Sequence, residues 1–88
     1  MHAGKVVGRV IATHKDESLK GVKLLLVQPT DWTGEAEGDI LIAADAVGSG
    51  SREWIFFVKS REAAVAFPQI PPVDACIVGI IDGVNLVQ

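Results

Sequence analysis

Three runs in this 88-residue chain are apolar without a break: Leu24-Leu25-Leu26-Val27, Ile55-Phe56-Phe57-Val58 and Ile77-Val78-Gly79-Ile80-Ile81. Each is short and bounded by turn residues, which favours strand over helix. A strand sends successive side chains to opposite faces, so such a run asks for burial on both sides of its sheet. In α/β proteins helices cover the second face. Here the one helical candidate is residues 60–67 (SREAAVAF), which Ser60 can cap and Pro68 ends. Two turns of helix cannot cover a sheet. The remaining solution is a sheet curled into a small barrel, with one face inside and neighbouring subunits over the other.

Five segments read as strands: residues 4–13, 22–28, 39–47, 53–59 and 74–84, each bounded by glycine, proline, serine or aspartate. The second is expected to stop at Pro29. Parallel neighbours need a crossover of about a dozen residues or more, and only the fourth gap is that long. The rest of the sheet should be a largely antiparallel meander. Gly8 and Gly79, both inside strands, suit the sharp bends a small barrel needs. The expected fold is therefore all-β, one domain over residues 1–88, a partly closed five-stranded barrel with a short helix before the last strand.

Composition bears on assembly. Apolar residues make up 49% of the chain, more than a small body can hide, since a core of this size buries only about two thirds of the unfolded chain's surface. Association is the simplest remedy. The formal charge is −3, and the bases Lys5, Arg9, Lys15, Lys20, Lys23, Arg52, Lys59 and Arg61 are scattered along the chain. No basic stripe of the kind that displaces phosphate counterions is visible, so nucleic acid is not an expected partner. A single cysteine, Cys76, leaves no internal disulfide and no cysteine metal cluster. The chain starts without a charged n-region or an apolar h-region, and its longest apolar run is far short of a membrane span. A cytosolic protein without membrane contact is expected.

Each candidate for chemistry has a plainer reading. His14 lies beside Lys15 and Asp16 at a strand end, and neither it nor His2 has the spaced partners that a metal site or a general base needs. Cys76 sits in the most apolar strand, where a thiol packs as a small hydrophobe unless a base and an electropositive setting activate it. Asp45, Asp74 and Asp82 lie in or beside apolar strands. They could form a carboxylate pair, but strand-end capping or bonding to backbone and basic groups accounts for them more simply. The Gly48-Ser49-Gly50-Ser51 loop is no phosphate cradle, for it lacks a following helix and a closing lysine. It reads as a tight turn, or as a loop of small residues lining an opening on an oligomer axis. Trp32, between Pro29 and Gly34, is read as a lid over the barrel end, or else as a contact surface. No catalytic residue, cofactor or metal is expected.

At this point four blocks come together: GKVVGRVIATHKDESLKGVKLLLVQP at 4–29, DAVGSG at 45–50, the EW-plus-apolar strand at 53–58, and PVDACIVGIIDGV at 72–84. Through them the chain resembles the EutN/CcmL family of bacterial microcompartment vertex proteins. The resemblance implies an OB-like five-stranded barrel that forms a homo-pentamer. It also implies a structural, non-enzymatic role: the pentamer plugs the corners of a polyhedral shell in the cytoplasm, beside hexameric shell proteins. Gly48, Ser49 and Gly50 match the family's small-residue loop near the five-fold axis, and Ser51 closes the same turn. Residues 31–38 (DWTGEAEG) and 67–72 (FPQIPP) depart from the family pattern. The alternative is an OB-fold binding module for single-stranded nucleic acid or oligosaccharide, which should show a basic groove with stacking aromatics.

Overall fold

The computed structural model describes residues 1–11, 23–45, 47–50, 52–59 and 74–85. Five strands run in chain order: β1 His2–Arg9, β2 Lys23–Thr30, β3 Leu41–Asp45, β4 Trp54–Lys59 and β5 Ala75–Ile80. They close into a barrel in the order β1-β2-β3-β5-β4, with β4 returning to pair with β1. Four of the pairings are antiparallel and β3–β5 is parallel. The parallel pair therefore does not span the fourth gap, because β4 and β5 on either side of it are antiparallel. The simple meander ends after β3. From there the chain crosses to β1 as β4, and β5 fills the slot between β4 and β3. The helix expected at 60–67 lies outside the described residues.

Strand limits differ from the expected ones for identifiable reasons. β2 does not stop at Pro29 but passes through it to Thr30, with Gly4 opposite Pro29 on β1. The Pro29 carbonyl accepts from Glu37 N at 2.9 Å. A residue's N and O point to the same side of a strand, so the missing N–H faces the following turn and β1 loses no bond. β1 ends at Arg9, β3 spans only 41–45, and β5 stops at Ile80. β1 and β5 each make one further backbone bond past these limits, Val10 N donating to Leu24 O at 3.0 Å and Ile81 N to Trp54 O at 2.8 Å.

The inward set is Val6, Leu25, Val27, Ala43, Ile55, Phe57, Ala75 and Ile77, all buried. It alternates with an outward set that is also apolar. Leu24, Ala44 and Cys76 lie side by side across β2, β3 and β5 as a second buried cluster, with Val10 and Val58 against it. Farther along the same face, Ile42 is exposed opposite Leu26. Both faces are thus apolar, as the unbroken runs demanded.

Two bulges bend the sheet into closure. On β1 the register jumps from Val6 to Gly8, which leaves Val7 as the extra residue. On β5 it jumps from Ile77 to Gly79, which leaves Val78. Gly79 is needed for a further reason: a Cβ there would overlap the Phe56 ring, which lies against β5 at that point. A second aromatic brace runs the other way. Trp54 on β4 donates its indole N–H to Thr30 Oγ1 on β2 at 3.2 Å. β1 lies between those strands, so the ring must cross it where Ala3 is small and buried.

Candidate functional site: the loop between β3 and β4

Asp45 ends β3 in the inward phase, two residues beyond the core residue Ala43. That places its carboxylate over one mouth of the barrel, and its side chain is only 1% exposed. Its Oδ1 accepts from Val47 N at 3.2 Å, Gly48 N at 3.2 Å and Ser49 Oγ at 3.1 Å. Its register partner Lys23 brings an ammonium to 3.7 Å from Oδ2. The same ammonium donates to the Ser49 carbonyl at 2.8 Å. A buried carboxylate costs several kcal/mol in lost hydration, and here three donors and a cation offset that cost.

The turn is closed from its other side. Glu53, just before β4, accepts from Gly50 N, and its own N–H donates to the Gly50 carbonyl at 3.3 Å. Gly48 has φ +77° with open space around it, a conformation that glycine takes at little cost. Arg52 takes a similar left-handed φ of 67° and is fastened to β1, Arg52 N donating to Val6 O at 2.8 Å. The loop is therefore not a loose linker but a turn pinned at both ends.

These contacts assign different tasks to the residues singled out in the sequence. Gly48 is exposed, with open space where a side chain would stand. Ser49 is wholly buried, its hydroxyl turned to Asp45. Gly50 lies against Glu53, and Ser51 lies outside the described residues. The outward-facing members of the turn are Val47 and Gly48, not Ser49. Sequence reading singled out Asp45 as a bonding aspartate but gave no role to Lys23 or Glu53. A signal was present in retrospect: small polar residues flanked by two acids at a strand-to-strand turn.

The remaining candidates lie away from this turn. Asp74 does for β3 what Asp45 does for the loop: its Oδ2 accepts from Ile42 N at 3.0 Å, and its own N–H donates to Ile42 O at 3.1 Å. Cys76 is buried in the outer cluster, and burial pushes its thiol pKa up, away from the reactive thiolate. His2 stacks on Phe57 at the opposite barrel mouth, ring centroids 5.4 Å apart. His14 lies outside the described residues. Trp32 is 42% exposed rather than folded over the barrel as a lid. It rides a tight turn built by Asp31, whose Oδ1 accepts from Thr33 N, Thr33 Oγ1 and Glu35 N at 2.8, 2.6 and 3.0 Å. Those bonds, the Thr33 hydroxyl first, hold the Asp31 carboxyl below its ordinary range.

Comparison with known proteins gives this barrel and its pinned turn a context. A family described as ethanolamine utilisation protein EutN/carboxysome matches residues 1–82. The carboxysome shell vertex protein CcmL of Synechococcus elongatus is 44% identical over 87 residues, covering 98% of this chain and 88% of that protein. The bacterial microcompartment shell vertex protein EutN of Salmonella typhimurium is 34% identical, covering 96% of this chain and 86% of its own. Among solved structures, the GrpN pentameric microcompartment shell protein from Rhodospirillum rubrum superposes with a TM-score of 0.84 at 36% identity, over 99% of this chain and all of that one.

Proposed function

The chain belongs to the EutN/CcmL family, and from that premise we propose that it works as a corner piece. It is a structural shell protein of a bacterial microcompartment, a carboxysome or metabolosome, that assembles as a pentamer and sits at the vertices of the polyhedral shell in the cytoplasm. The observation that carries this reading is the full-length similarity to shell vertex proteins, joined to a closed barrel that leaves Val7, Trp32, Ile40, Ile42 and Val47 exposed. Those comparisons support it over an OB-fold binding module.

Geometry supplies the physical reason. Hexagonal tiles pack into a flat sheet, and a closed polyhedron needs five-fold positions to introduce curvature. A cyclic oligomer joined head to tail that closes after five copies is such a unit. The tiles around it would be hexameric shell proteins. The contribution of this chain is to shape and seal, with catalysis left to the enzymes enclosed. The turn at residues 47–50 is assigned to the surroundings of the five-fold axis. Small side chains suit a place where five copies converge, and the Asp45 clasp keeps the turn in one shape.

Electron microscopy of cells lacking only this protein tests the role. Flat or tubular shell material should persist while closed polyhedra become rare, and restoring the gene should bring them back. Normal sealed polyhedra in the deletion strain, with no second vertex paralogue present, would rule out the corner role.

A further inference from the structure

A head-to-tail ring requires two different patches on one chain that fit each other, and the charges of this barrel are sorted in that way. Apart from Lys23, held by Asp45, and Lys59 and Arg9 at the two ends of the barrel, the described cations are Lys5 and Arg52. These two flank Val7, the extra residue of the β1 bulge, which stands 53% exposed. Together with Val6 they line a surface groove of about 550 Å³. The groove follows a stretch of β1 left uncovered by the described residues. β4 pairs with His2–Lys5, Arg52 and Glu53 bond to Val6, and beyond that β1 is paired with β2 alone among the described residues.

The opposite patch is the β2–β3 turn, at the other end of the barrel. Glu35, Glu37 and Asp39 are exposed on it, as are Trp32 at 42% and Ile40 at 54%. The turn is firm rather than floppy. Asp31 gathers three donors, Asp31 N donates to Glu35 O at 2.8 Å, and Glu37 N to Pro29 O at 2.9 Å. An acidic turn that carries exposed apolar residues and a basic groove with an apolar floor are complementary in both charge and hydropathy. An exposed tryptophan on a rigid turn is the kind of residue that anchors an interface.

We infer that the occupant of the Lys5/Val7/Arg52 groove is the Trp32 turn of a second copy of this chain, and that this contact links each subunit to the next in the ring. The inference rests on the pentameric reading above and adds to it which two surfaces meet.

Charge exchange tests it on the purified full-length protein. K5E/R52E reverses the groove and E35K/E37K reverses the turn. The substituted side chains are on the surface, so both variants should keep the wild-type circular dichroism spectrum. Like charges facing each other across a contact repel and weaken it. Each variant should therefore lose pentamer on light scattering, its midpoint concentration for assembly rising by at least about tenfold. The four-fold variant carrying both reversals should recover the pentamer. An equal mixture of the two double variants allows only alternating contacts, which an odd-membered ring cannot satisfy, so it should yield open or even-numbered oligomers. Pentamers that survive both double variants, or a four-fold variant that stays dissociated, would overturn the contact while leaving the corner role intact. A wild-type chain that is itself no pentamer would overturn the functional reading first.

Discussion

Two residues show how closely the barrel wall is fitted. The Phe56 ring occupies the space a side chain at Gly79 would need, so Gly79→Ala should cost about 1–3 kcal/mol by overpacking. In a Phe56→Ala background the same substitution should cost much less, because the two residues share one volume. Chemical denaturation of the four proteins measures the coupling, and additive effects would show that the ring moves aside freely. Cys76 gives a second reading of the same wall. Burial raises its pKa, so the folded state holds a neutral thiol while the unfolded state ionises in the ordinary thiol range. Stability from this site is complete below that range and falls as pH rises through it. A thiol reagent should accordingly label the native protein slowly and the unfolded protein fast. Asp31 works in the opposite sense. Its lowered pKa means its support of the Trp32 turn is complete above the ordinary carboxylate range and is lost as pH falls below that range. Amide chemical shifts of Thr33 and Glu35 followed through an acid titration would report the change.

At the scale of elements, the turn at 47–50 is where the sequence was least legible. Its glycines and serine announced a turn, and small residues suggested a crowded axis. Yet nothing in the string of residues says that Ser49 faces inward, because that depends on Asp45 ending β3 in the inward phase above the core. Ser49→Trp should consequently break the clasp and destabilise the barrel mouth, not plug an opening. Val47→Trp, outward at 41% exposure, is the substitution that tests the axis. It should leave the fold intact while narrowing the central opening or hindering ring closure. Asp45→Ala should cost about 1–3 kcal/mol, since it leaves the Ser49 hydroxyl buried without its acceptor. Strand existence was legible throughout from apolar runs and their punctuation. Strand ends were not: β2 passes through Pro29 only because the missing N–H faces away from β1, a fact of pairing rather than of local preference.

The whole molecule was legible further than its topology. Apolar runs on both faces, too few helices to cover them and too small a body to hide them led to a barrel that needs neighbours. The parallel β3–β5 pair escaped, since it joins strands that are not consecutive and only closure of the barrel brings them together. The apolar side chains left exposed, Val7, Trp32, Ile40, Ile42 and Val47 among them, are the feature that most requires explanation, and association explains them. The most direct check of that account is the mass of the purified protein in solution, by light scattering coupled to size exclusion and by native mass spectrometry across a range of concentrations. The account predicts one species of about 46 kDa, five copies of the 9.3 kDa chain. A stable monomer whose mass does not change with concentration would contradict it.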